Sequence, residues 1–223
     1  MSRAALGPGE LVNLFARARD YVERRFENFE RNPDEGWIRV DGERYVLVRC
    51  EGLFLGLFDG MSRRVGTEAA FEMIYVISRD IGHSDCEALC GRLGGADSNI
   101  TCVAGGPPFF AFNGWAAVEL LPDTKISADD DCVMHYLHPN TFESEVLAKR
   151  ADIKVKAPTC LFSAGYSAGW GSAAMDREMH AREIACVACG DPCCEFVMAP
   201  KEQLEDRVAE IMAAKAAGTS GES

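Results

Sequence analysis

Cys186, Cys189, Cys193 and Cys194 fall within nine positions of the stretch EIACVACGDPCCEF, residues 183–196. Thiols at that density serve one of three chemistries: a disulfide staple, a redox pair, or a metal site completed by ligands elsewhere in the chain. Six further cysteines, at positions 50, 86, 90, 102, 132 and 160, are spread upstream. The opening residues MSRAALGPGELVNLFARARDYVERRF carry no basic segment leading into an apolar run and a small-residue cleavage site, and no later stretch approaches the length of a bilayer span. The chain therefore reads as cytoplasmic, without a membrane partner. In a reducing compartment its cysteines are expected to be thiols or metal ligands rather than staples.

A structural zinc takes four ligands at the corners of a tetrahedron, supplied by short, stiff elements. Residues 180–198 read as such an element, a hairpin turning at Gly190-Asp191. Glu183 and Cys186 stand three apart on its first strand and Cys194 lies beyond the turn. Cys160 heads a helix expected from about residue 160 to 174. Two rival readings use the same residues. The thiols could be buried small hydrophobes, or Cys186-x2-Cys189 and the Cys193-Cys194 pair could serve zinc, an iron–sulfur cluster or redox exchange. Against the second, neighbouring Cys193 and Cys194 on a strand point to opposite faces, so only one easily faces a shared metal. Cys86 and Cys90 are one helical turn apart with no partner spaced nearby, and read as packed or solvated thiols.

The second concentration is aromatic: Phe109, Phe110, Phe112, Trp115, Tyr136, Tyr166 and Trp170. Core packing is the common fate of such residues. The functional reading is an apolar cavity in which His135, His138 or Ser167 orients a ligand. On a strand over 132–138, Tyr136 and His138 share one face and His135 takes the other. His83 and His180 read as surface residues. There is no convincing nucleophile–base–acid set, phosphate-cradling GxxxxGKS/T, or GxGxxG after a strand, so the chain reads as a non-enzyme. A formal net charge of −12 opposes a phosphate-binding surface, and no direct nucleic-acid contact is expected from this segment.

The elements that must position these groups follow from periodicity. Leu14, Phe15, Ala18, Val22, Phe26 and Phe29 predict an amphipathic helix from Leu11 to a stop at Asn32-Pro33. Asp41-Gly42 between two short β-rich runs predicts a hairpin. Helices are expected over about 52–64 and through Ala70, Ile74, Ile77 and Ile81 to an end at Gly82. The Gly- and Pro-rich stretch 91–114, ending in GGPPFFAFNGW, reads as a rigid turn presenting the aromatics. Strands are expected over 115–121 and 132–138. Pro139-Asn140-Thr141 then opens a helix with Glu143 and Glu145 in its first turn. Gly165, Gly169 and Gly171 should weaken the helix after Cys160. Leu204, Val208 and Ile211 mark a tail helix that Lys215 interrupts. Helices and strands in separate runs give an α+β fold of mixed helices and antiparallel strands.

The combination C-x5-Y-x16-E-x2-C-x3-G-D-x2-C, read from Cys160 through Tyr166, Glu183, Cys186 and Gly190-Asp191 to Cys194, resembles the 4-vinyl reductase domain. Upstream, GPPFFAFNGW and MHYLHPNTFESE resemble the sensory domain that precedes it in XylR/DmpR-type activators of aromatic catabolism. Together they cover roughly residues 35–200. The resemblance implies a zinc-bound hairpin with Cys160, Glu183, Cys186 and Cys194 as ligands, structural because four protein ligands close the coordination sphere. It divides the chain into a helical dimerisation segment (1–35), a ligand-sensing region (36–158), a zinc-binding region (159–200), and a linker helix and tail (201–223). In phenol-responsive members a His after the Gly-Pro turn and a Trp on a later strand hold the ligand hydroxyl. Phe110 and His138 stand at those positions here, so toluene-like molecules are expected to bind before phenol. What the resemblance implies overall is a homodimeric input domain that senses a small apolar or aromatic molecule and restrains a fused or partner ATPase or kinase module. Two further functions attach to the family: a tetrapyrrole-binding accessory protein or enzyme, and a scaffold without ligand.

Overall fold

A computed structural model describes residues 9–90, 98–127, 129–150 and 157–219. The first apolar row folds as helix α1, Val12–Glu27, which buries Phe15, Ala18 and Val22. The helix ends sooner than its spacing predicts. Asn28 leaves the helical region, and Phe29–Asn32 forms strand β1, paired antiparallel with β2, Trp37–Val40. Four backbone pairings thus outweigh continuation of a helix whose next apolar residue, Phe29, remains half-exposed. Asp41 and Gly42 both take positive φ and turn β2 into β3, Glu43–Tyr45, as the dipeptide predicts.

Helix α2 spans Cys50–Val65 and α3 spans Thr67–Cys90. Gly82 does not end α3. It sits mid-helix, where a Cβ would collide with the backbone carbonyl of Tyr166 on α6, Leu161–Met175. Gly165 and Gly169 of α6 answer from the other side, against the carbonyls of Tyr75 and Arg79. Helix propensity alone has these glycines weakening α6. Instead they let two helix backbones touch, and dispersion attraction across that close approach offsets an intrinsic cost of about 1 kcal/mol per glycine.

The Gly-Pro stretch is also helical. Helix α4, Ser98–Phe112, carries Pro107 and Pro108 inside it, where the sequence predicts a turn. Prolines at those positions forgo two intrahelical bonds, and the compensation is burial: every residue from Cys102 to Phe110 is buried. The apolar face of α1 packs against α4 of the same chain, with Phe26 against Phe109 and Phe112. Cys90 at the end of α3 is joined to Cys102 of α4 by a disulfide, which corrects the expectation of free thiols throughout.

The remaining strands are β4 (Glu119–Leu120, shorter than expected), β5 (Met134–His138), β6 (Met179–Ala185) and β7 (Cys194–Pro200). They form one antiparallel sheet in the order β4-β5-β7-β6. Helix α5, Phe142–Ala148, follows β5 and is capped by Thr141, whose side chain accepts from the Ser144 N–H at 3.0 Å. One sheet face packs on α4 and α6, and α7, Leu204–Thr219, covers the other through Leu204 and Val208. Among the described residues no helix is long and apolar enough to cross a membrane.

The α3–α6 contact makes a prediction with two signs. Gly169→Ala must force the backbones apart and is expected to cost about 3 kcal/mol, the upper range for overpacking. Gly56→Ala, in an open stretch of α2 where no described atom lies near the added methyl, should stabilise by about 0.5–1 kcal/mol. Urea denaturation of both variants checks the pair.

Candidate functional site

The β6–β7 hairpin and the head of α6 meet at a buried cluster. One ligand atom each from Cys160, Glu183, Cys186 and Cys194 lies within 4.8 Å of every other, and all four residues are buried. The Cys160 sulfur is 3.9 Å from that of Cys186 and 3.8 Å from that of Cys194. Local geometry explains the convergence. Cys186 leaves β6 as its N–H donates to Asp191 at 2.8 Å, and the Val187 N–H points at the Cys194 sulfur at 3.3 Å. The Cys160 N–H donates to Glu183 Oε2 at 2.8 Å, while Glu183 Oε1 is buried without a hydrogen-bond partner among the described residues. Cys189 is exposed and Cys193 half-buried.

Negative charge in this cluster is self-limiting. Hydrogen bonds from Cys160 and Cys194 hold the Cys186 thiol far below its ordinary range, so one thiolate forms readily. Burial pushes Glu183 up to about 8, and hydrogen bonding to Cys186 raises Cys160. Four anionic ligands together therefore need a cation to compensate them.

Sequence reasoning places Glu143 in the first turn of α5 and misses its role. It is completely buried and reaches across to α6, accepting from the N–H groups of Phe162 (2.8 Å) and Ser163 (2.9 Å) and from the Ser163 hydroxyl (2.6 Å). It caps the helix that carries Cys160. Burial raises its pKa to about 7 despite those three donors. The only sequence signal is an acidic residue next to a cap, which looks the same when the side chain faces water.

A cavity of about 40 Å³ lies between α4, α6 and the sheet. Five predicted aromatic or histidine residues line it: Phe110, Tyr136, His138, Tyr166 and Trp170. Three do not. Phe109 packs between Phe26 and Trp170, Phe112 faces Phe26 at an outer groove, and Trp115 packs on Phe142 and Phe162. Met134, Met198, Val103 and Ser167 contribute further wall. His138 is 1% exposed, and neither ring nitrogen has a hydrogen-bond partner among the described residues. Burial pushes its pKa down to about 3, so the imidazole is neutral. The Tyr136 hydroxyl is likewise buried without a partner there, and Ser167 is its nearest polar neighbour by its effect on the phenol. Tyr166 instead donates to Asp85 at 2.7 Å and Trp170 to the Cys102 carbonyl at 2.9 Å. His135 lies on the opposite face, between Asp123 and Glu195.

Residues 141–200 match the family model of the 4-vinyl reductase domain, a span that holds all four cluster residues and Glu143. Over 165 residues the chain is 27% identical to the transcriptional regulatory protein XylR of Pseudomonas putida, covering 74% of this chain and 29% of that protein. The chain thus spans under a third of that relative's length. The fold is similar to the phenol-responsive sensory domain of the transcription activator PoxR, solved with phenol. The TM-score is 0.72 at 26% identity, over 88% of this chain and 96% of that one. The chain carries a 4-vinyl reductase domain and, across it and upstream, resembles aromatic-sensing regulatory domains.

Glu143 supplies the prediction here. Glu143→Ala orphans two backbone N–H groups and a hydroxyl, and should cost about 2–4 kcal/mol, at about 1–3 kcal/mol per unsatisfied buried group with partial relief by water. Glu143→Gln keeps one acceptor oxygen and should lose about half as much. Chemical denaturation gives both numbers, and equal stability of the two variants would remove the capping role.

Proposed function

We propose that this chain is a ligand-sensing regulatory domain whose cavity takes a small neutral aromatic molecule and whose thiol cluster holds a structural zinc. His138 carries the first half of the reading. A fully buried imidazole with both nitrogens unpartnered among the described residues is costly, and a ligand entering the adjoining cavity relieves that cost. The similarity to a phenol-responsive sensory domain supports the same chemistry. The volume of about 40 Å³ holds little more than a water or two. A single ring therefore enters only as Met134, Met198 and Phe110 shift, and thioether side chains make such shifts inexpensive. A tetrapyrrole would need far more room. A scaffold has no use for the unpartnered His138.

Zinc is supported by fit. With sulfur at about 2.3 Å from the metal, the edges of a tetrahedron are about 3.8 Å long, close to the sulfur–sulfur distances of 3.8 and 3.9 Å around Cys160. The unpartnered Glu183 oxygen supplies the fourth donor. Such an ion would fix the hairpin to α6 and leave no position for reactive water, consistent with regulation rather than catalysis. In this reading the chain acts in the cytoplasm as a homodimer. Its α7 connects to an ATPase or kinase output module, and contact with nucleic acid belongs to other parts of the assembly.

One zinc per chain is expected on native mass spectrometry. Cys186→Ala should lose metal and solubility because zinc-binding energy is also folding energy, whereas Cys189→Ala should keep both. Equal metal loss in the two variants would overturn the ligand set.

The geometry revises the preference expected from Phe110 alone. His138 and Tyr136 give a ring hydroxyl partners that replacement of the alternative His does not remove. By calorimetry the parent should bind both phenol and toluene. His138→Leu should weaken phenol about tenfold, the worth of one hydrogen bond, with toluene nearly unchanged, and Phe110→His should strengthen phenol. Binding of neither compound would defeat the sensor reading.

A further inference from the structure

Three cysteines at the junction of α3 and α4 belong neither to the thiol cluster nor to the cavity lining. Cys90 and Cys102 are joined, and the Cys86 sulfur lies 3.7 Å from that of Cys90, one helical turn back on α3. In this state Cys90 has no thiol hydrogen, so Cys86 is the donor. Cys86 is 1% exposed while Cys90 is only half-buried, so a small solute meets Cys90 first. Cys102 is tied to the cavity. Its carbonyl accepts from the Trp170 indole N–H, and Val103 and Gly106, next along α4, line the cavity beside that ring. Gly106 packs so closely on the indole that a Cβ there would overlap it. A shift of α4 at Cys102 is therefore felt by Trp170.

We propose that Cys90 and Cys102 form a reversible thiol–disulfide exchange site for low-molecular-weight disulfides, with Cys86 as the positioning thiol, and that its oxidation state reaches the cavity wall through Trp170. On oxidation the Cys90 thiolate attacks one sulfur of RSSR, forming a mixed disulfide and expelling RS⁻, which takes up the proton Cys90 has lost. The Cys102 thiolate then attacks the Cys90 sulfur, the mixed disulfide breaks, and the second RS⁻ leaves with the Cys102 proton. Two protein thiols give up two electrons in total, and one RSSR becomes two RSH. Reduction reverses these steps with a low-molecular-weight thiol as donor. Burial pushes Cys86 up to about 12, so it stays protonated and donates its S–H toward Cys90. That hydrogen bond favours the Cys90 thiolate, the species that attacks.

The test uses the full chain in mixtures of oxidised and reduced glutathione, with alkylation mapping by mass spectrometry and tryptophan emission as readouts. Neither readout needs a cavity ligand, so failure here is distinct from failure of the sensor reading. A Cys90–Cys102 cross-link should form in oxidised glutathione and reverse in reduced glutathione. An emission change should accompany it that is absent from both Trp170→Phe and Cys102→Ser. Cys86→Ala should slow cross-linking on the order of tenfold as the thiolate fraction falls, while leaving the same product. Cys90 and Cys102 both free at every ratio would overturn the proposal. So would cross-linking of either to Cys160, Cys186 or Cys194, or an emission spectrum indifferent to the cross-link.

Discussion

The backbone contact between α3 and α6 is the constraint on which the rest of the molecule depends. Gly82, Gly165 and Gly169 remove the side chains that would separate the two helices, so carbonyls of one lie against the α-carbons of the other. With the helix axis fixed that closely, the rotation of α6 is fixed too. Tyr166 and Trp170 must then project toward α4 and the sheet, and Cys160 must sit at the end facing the hairpin. The cavity wall and the thiol cluster are consequences of one helix placement. Packing at interior density tolerates no intermediate position, since a single methyl at the contact displaces the whole face.

The interior then has to accommodate polar groups that burial penalises, and three solutions appear within one core. Glu143 is satisfied by donors from the first turn of α6, where unpaired N–H groups and the helix dipole favour a carboxylate. His138 discards its charge and stays neutral. The thiol cluster can do neither completely, because its sulfurs compete for the same few protons. Only a cation converts that competition into attraction. The chemistry is concentrated where the core is least self-sufficient, which is the usual mark of a site that works by taking something up.

What the sequence makes legible is what depends on short-range rules. The Asp41-Gly42 hairpin, the Thr141 cap and the spacing of Cys160, Glu183, Cys186 and Cys194 are local or fixed by one turn, and each residue type has few alternatives. The pairing of Cys90 with Cys102 is not legible, since nothing local marks which packed thiols meet. Gly82 resembles a helix stop because its reason for being glycine lies on another helix, at Tyr166. Pro107-Pro108 resembles a turn because lost hydrogen bonds are local and the burial that offsets them is not. The end of α1 is misplaced for a similar reason: Phe29 continues the helical spacing, but the partner strand offers its backbone a better arrangement. Strand and helix periodicity bring Phe110, Tyr136, Tyr166 and Trp170 to the cavity, while Phe109, Phe112 and Trp115 can be sorted only by knowing which neighbours surround them.

Strand β5 links the two sides of the molecule. Tyr136 and His138 project into the cavity, and His135, preceding Tyr136, projects to the far face, where it meets Glu195 at 2.7 Å. Glu195 in turn accepts from Lys215 of α7 at 2.5 Å, and Val197 and Ala199 of the neighbouring strand pack under Leu204 and Val208 of the same helix. Because successive side chains of a strand move as one rigid unit, a displacement of His138 toward or away from the cavity is also a displacement of His135 against Glu195. The cost is set by a buried, hydrogen-bonded carboxylate rather than by a solvated ion pair, so it is not screened away as a surface contact would be. An occupant of the cavity shifts α7 only to the extent that it binds one position of β5 more tightly than another. The cavity, at about 40 Å³, is smaller than any aromatic ring needs, so admitting a ring and moving its walls are a single event.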